Sequence, residues 1–153
     1  MSAPPRRDQP GLSRREEVSV SGAAMSHAPW TAAGVTGGVL ALGDFGLHVI
    51  GGGFGLGAAD DALSLGVLGF LVVAAAGTLW RARSVPAVRW ARSNPWRFAL
   101  LPGVACAAVV LVLSVVLGGG LAGGIFSGVW HGAGAFLLTG LAGTATRMRR
   151  RSA

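Results

Sequence analysis

The stretch FALLPGVACAAVVLVLSVVL, residues 98–117, contains no charged side chain. A backbone in hydrocarbon can satisfy its hydrogen bonds only as a helix or a closed barrel, and about 20 apolar residues of helix cross a bilayer core of ~30 Å. The stretch therefore predicts a transmembrane helix.

Three other apolar runs with few or no charged residues lie at residues 31–52, 62–80 and 121–143. The whole chain is 52% hydrophobic and only 12% charged, whereas soluble domains carry roughly 25% charged residues. This composition excludes an ordinary water-soluble domain. We expect an all-α fold, an integral membrane bundle of four transmembrane helices.

All basic residues of the chain are arginine, and their positions predict an orientation. Arginine occurs before the first span, between the second and third, and after the fourth, but not in the two remaining loops. By the positive-inside rule, both the N-terminus and the C-terminus should be cytoplasmic, with the hairpin loops outside. The expected location is the cell (cytoplasmic) membrane, as a multi-pass protein.

The same charge blocks divide the chain. Residues 1–29 are rich in Pro, Ser, Arg and Glu and lack hydrophobic periodicity, so we expect a disordered cytoplasmic tail. Residues 30–146 form the predicted transmembrane domain, which includes a cytoplasmic loop at 81–97. Residues 147–153 form a basic cytoplasmic tail.

The 81–97 loop combines arginine with tryptophan, which favours anionic headgroups over nucleic acid as its partner. We therefore expect contact with the lipid bilayer and no nucleic acid. The predicted anchoring residues are Arg81, Arg83, Arg89, Trp90, Arg92, Trp96 and Arg97.

Glycine recurs at every fourth position at the start of the last span, at Gly120, Gly124, Gly128 and Gly132. Such stripes let helix backbones approach closely, either within one bundle or between subunits. The first span carries a weaker version, Gly34 and Gly38, interrupted by Leu42. We expect a homo-oligomer or a membrane-protein partner.

The glycines at 51–57 lack the strand and helix of a dinucleotide fingerprint, and we expect Asp60 and Asp61 to cap the second span.

Three ionisable residues fall at membrane depth: Asp44 and His48 in the first span and His131 in the fourth. Such residues are costly there and are retained for a partner or a pathway. Asp44 and His131 lie at similar depth and could meet if their helices are neighbours. Three hypotheses remain open, namely an inter-helix polar contact, a proton or ion pathway, and a metal or haem site without a visible second shell.

The chain lacks the residues that several kinds of catalytic and metal site require. The chain has no lysine and a single cysteine, Cys106, inside an apolar run, which excludes lysine-based catalysis and multi-thiolate metal sites. We expect no enzyme activity, metal or cofactor. The sequence favours a small multi-pass membrane protein acting as a structural, regulatory or assembly component. The alternative is a proton-coupled transporter or channel subunit that uses Asp44, His48 and His131.

Overall fold

A computed structural model describes residues 13–81 and 85–149, and within these ranges the chain is α-helical apart from short connections. The helices are α1 (Arg14–Met25), α2 (Trp30–Ile50), α3 (Leu56–Arg81), α4 (Pro86–Ser93), α5 (Pro95–Val116) and α6 (Gly120–Arg149).

Four of these helices are long and apolar enough to cross a membrane: Trp30–Ile50, Leu56–Trp80, Pro95–Val116 and Gly120–Thr146. The prediction of an all-α fold with four apolar spans is therefore confirmed. Its second span begins six residues too late, because Asp60 and Asp61 lie inside α3 and do not cap it. α5 begins at Pro95, a position that favours proline because the first helical N–H needs no partner.

The bundle consists of two hairpins that meet at α3. α2 packs against α3, α5 packs against α6, and α3 contacts both α5 and α6. The α2–α3 approach is close because Gly37 and Gly66 face each other. A Cβ on Gly37 would lie 2.7 Å from the Gly66 carbonyl oxygen, and one on Gly66 would lie 2.9 Å from Ala41 Cβ. Because α2 contacts α3 but neither α5 nor α6 among the described residues, α3 separates α2 from the α5–α6 hairpin.

The hairpin turns depend on glycine backbones with positive φ. Gly52 has a φ of 80° in the α2–α3 turn, and Gly118 has a φ of 96° in the α5–α6 turn. Side chains with a Cβ rarely adopt this conformation. We call the end of the bundle with these two turns the hairpin end, and the opposite end the arginine end.

The prediction of disorder is wrong for residues 14–25, which form α1. Ser13 caps α1 as half of a capping box, in which its side chain accepts from the Glu16 N–H while the Glu16 carboxylate accepts from the Ser13 backbone N–H. α1 also packs against α4 and α5, and its Ala24 is fully buried. A local cap and a short apolar strip are enough to form the helix. The remaining predicted tail, residues 1–12, lies outside the described residues.

The arginine end holds the larger apolar core. α4 contributes Val88 and Ala91, which point inward toward α1, so its apolar face is covered by protein. The buried residues of this core are Ala24, Met25, Ala33, Ala74, Ala75, Leu79, Val88, Ala91 and Phe98.

Candidate functional site: ionisable residues at the hairpin end

His48 of α2 lies opposite α3 near the hairpin end. Its Nδ1 lies 3.0 Å from the Asp44 carbonyl oxygen and 3.3 Å from Asp44 Oδ2, one turn earlier on the same helix. Its Nε2 lies 3.7 Å from Asp61 Oδ2 on α3. The imidazole thus stands between two carboxylates, and a protonated His48 would pair with both.

These two carboxylates differ in exposure. The Asp44 side chain is 24% exposed, whereas that of Asp61 is 69% exposed. Asp44 lies one helical turn deeper than His48, about 6 Å along α2. Asp61, His48 and Asp44 therefore form a row that runs from the exposed end of the bundle into its apolar part.

Asp60 makes a second polar contact, between α3 and α5, which the sequence argument missed. The Ser114 hydroxyl donates to Asp60, at 2.8 Å from Oδ2 and 3.0 Å from Oδ1. The sequence does carry a signal for this contact. A lone serine lies near the end of an apolar helix, at the same depth as an aspartate on another helix.

His131 does not join Asp44. Its Nδ1 lies 2.9 Å from the Ser127 carbonyl oxygen and 3.3 Å from Ser127 Oγ, both on its own helix. Among the described residues α2 and α6 make no contact, because α3 lies between them. The proposed meeting of Asp44 with His131 therefore does not occur in this bundle. The ligand set of Asp44, His48 and His131 is not assembled either.

The glycine stripe of α6 packs against α5. A Cβ on Gly132 would lie 2.7 Å from Ala107 Cβ, and one on Gly128 would lie 2.7 Å from the Ala107 carbonyl oxygen. Gly124 meets Leu111 in the same way, at 3.1 Å from its carbonyl oxygen. The stripe is thus occupied inside the bundle. Gly120 differs, because it has a φ of 68° at the turn and its Cβ would meet nothing within 4 Å.

Two of the arginines that we predict as headgroup anchors are bound within the protein. Arg92 Nε donates to the Leu79 carbonyl oxygen at 2.6 Å, near the C-terminus of α3, where positive charge is favoured. Arg97 forms an ion pair with Glu17 of α1. Both side chains therefore hold the short helices at the arginine end.

The other predicted anchors have varied surroundings. Arg89 is exposed and Trp90 is half-buried on α4. Trp96 packs on Phe136 of α6, with ring centroids 5.4 Å apart. Arg81 is the last residue of α3, and Arg83 lies outside the described residues.

Taken together, the ionisable groups of the hairpin end can bind protons or cations, and they can hold helices together. Comparison of the chain with known protein families, with curated proteins and with solved structures finds no match.

Proposed function

We propose that the chain is a non-catalytic assembly component of a cell membrane, which binds a neighbouring membrane segment through the open face of α2. Four long apolar helices support a membrane protein. The observation that carries the assembly role is the exposure of α2.

α2 is the least enclosed of the four spans. Only 11% of its most apolar window is buried, against 44% in α3, 33% in α5 and 22% in α6. Among the described helices it packs against α3 alone. No other described helix covers the rest of its surface, which can meet lipid or another protein.

Part of that free surface suits close helix packing. A Cβ on Gly34 or Gly38 would meet nothing within 4 Å, so both glycines lie open on α2. Val35 and Val39 beside them are 63% and 64% exposed. Because lipid tails are as apolar as valine, helices in a bilayer associate by close packing, which small residues at spacing four permit.

The occupant that we favour is a second copy of the chain. Two copies inserted in the same direction can meet on a two-fold axis, where the same patch of each contacts the other. Gly38 of one copy would then face Gly38 of the other. The α6 stripe cannot serve this role without first leaving α5.

Cysteine cross-linking in the membrane tests this interface. In a Cys106→Ala background, Gly38→Cys is compared with Gly43→Cys, which is also exposed on α2 with nothing within 4 Å of its Cβ. The two positions lie about 140° apart around the helix. We expect a dimer from Gly38→Cys and none from Gly43→Cys.

Two other outcomes are informative. A Gly38-specific adduct with a different membrane protein would support assembly and replace the second copy as the occupant. Equal cross-linking at both positions, or none at either, would overturn the proposal.

A proton pathway is the second candidate, because His48 stands between two carboxylates on two helices. Against it, the way inward from the hairpin end meets a core of Cys106, Val110 and Ala135, with Val67 and Leu68 packed on it. Purified protein in liposomes with an internal pH dye decides between the two. We expect no flux above protein-free liposomes, whereas flux in the wild type that Asp44→Asn abolishes would establish transport.

A further inference from the structure

We propose that Asp60, Ser64 and Ser114 form a binding site for a hard monovalent cation, Na⁺, at the hairpin end of the bundle. This site is separate from the α2 face, and neither proposal depends on the other.

Asp60 supplies the charge. It lies in the second turn of α3, and among the described residues no ion pair joins it to a cationic side chain. The Ser114 hydroxyl lies within hydrogen-bond distance of both carboxylate oxygens, and Ser114 itself is only 1% exposed. The half-buried carboxylate is thus held against a buried hydroxyl, and no cationic side chain among the described residues balances its charge.

Ser64 is the second and independent observation. It is 1% exposed, and its Oγ has no hydrogen-bond partner. It lies one turn after Asp60, so the two share a face of α3. Residues four apart are neighbours on a helix surface, with Cβ atoms about 5–6 Å apart, so Ser64 adjoins the turn that carries Asp60. A buried hydroxyl is normally hydrogen-bonded, so an unpartnered one beside a carboxylate calls for a ligand.

The surrounding field favours a cation. Ser114 lies in the last turn of α5, where the helix dipole presents its negative end. Asp44, Asp60 and Asp61 are the formally charged residues between positions 31 and 80, and positions 98–146 carry no formal charge. Among the described residues, the arginines lie on α1 and α4, at the start of α5 and at the C-terminal ends of α3 and α6.

The donor set selects the ion. Carboxylate and hydroxyl oxygens are hard ligands, which suit alkali and alkaline-earth ions over zinc or copper. Ca²⁺ takes six to eight oxygens and usually several carboxylates, whereas Asp60 offers one negative charge, enough to balance one monovalent cation. Apolar Val67 and Val110 lie beyond the site, so the ion would bind there without crossing the bundle.

Thermal unfolding of the full chain in detergent micelles tests the site. The melting temperature is measured with increasing NaCl, with choline chloride replacing it at constant ionic strength and pH. A specific ligand raises the stability with the logarithm of its concentration above the Kd, so we expect a steady rise of Tm with Na⁺ and none with choline. The rise should disappear in Asp60→Asn and shrink in Ser64→Ala. Asp61→Asn, at the adjacent exposed carboxylate, should keep it.

Ser64→Ala keeps the test decisive if Asp60→Asn fails to fold, because removing an unpartnered buried hydroxyl should leave the fold intact. A wild-type Tm that does not distinguish Na⁺ from choline would overturn the proposal. So would an undiminished response to Na⁺ in Ser64→Ala. A Tm that follows pH but not Na⁺ would overturn it as well, and would show that the site takes up a proton.

Discussion

Replacing Gly132 with alanine should force α5 and α6 apart. A Cβ at this position would lie 2.7 Å from Ala107 Cβ and 2.8 Å from the Gly103 carbonyl oxygen, while carbon atoms pack best at about 3.5–4.0 Å. The helices must therefore separate by roughly 1 Å at this point, because a backbone oxygen cannot rotate aside as a side chain can. Inserting a methyl group into a well-packed core costs about 1–3 kcal/mol.

Gly43→Ala is the matched control. Gly43 lies in the middle of α2, and its Cβ would meet nothing within 4 Å. Both substitutions gain about the same helix propensity, roughly 0.5–1 kcal/mol. The difference between the two variants therefore measures the packing cost alone, about 1–3 kcal/mol, or about five-fold to more than 100-fold in the ratio of folded to unfolded protein.

Reversible unfolding by SDS in mixed micelles, followed by circular dichroism, measures this difference. We expect Gly43→Ala to match or slightly exceed the wild type and Gly132→Ala to unfold at a lower SDS fraction. Equal stability of the two variants would refute the inference that the α6 stripe packs on α5.

Three further predictions concern the turn, the core and α1. Gly118→Ala should lower the free energy of unfolding by about 1–2 kcal/mol, because a φ of 96° strains a residue with a Cβ; the same SDS titration measures it, and unchanged stability would contradict it. Cys106 is fully buried, so a membrane-permeant maleimide should label it only after SDS unfolding; labelling in the native micelle would place it on the surface. The hydrogen bonds from Ser13 lower the pKa of Glu16 below 4.5. A lowered pKa stabilises the fold above the unfolded value and loses that effect as pH falls through the folded value, so NMR signals of α1 should report fraying at acidic pH in the wild type. Ser13→Ala should show that fraying already at pH 7, and an α1 indifferent to both changes would contradict the capping box.

The four spans could be predicted because a transmembrane helix is defined by length and hydropathy, both visible along the chain. The run at 98–117 needed no knowledge of its neighbours. α1 was missed for the opposite reason. Twelve residues with four charges give no hydropathy signal, and their helix depends on the Ser13 cap and on burial against α4 and α5.

The site could be predicted only in part, because a sequence gives depth along a helix but not the direction in which a side chain faces a neighbour. Depth alone made Asp44 and His131 candidates for one site. Because α3 lies between α2 and α6, Asp44 and His131 are far apart, and the carboxylate from another helix that lies near His48 is that of Asp61. Similarly, the α6 glycines were recognised as a packing surface, but their partner α5 followed only from the three-dimensional arrangement.

We propose that these four helices cross a membrane, with both hairpin turns on one side. The most direct test labels single cysteines in intact spheroplasts with a membrane-impermeant maleimide, in a Cys106→Ala background. We expect Gly53→Cys and Gly119→Cys to be labelled from outside, and Ala87→Cys only after the membrane is permeabilised. Labelling of Gly53→Cys and Ala87→Cys from the same side would contradict the four-span topology.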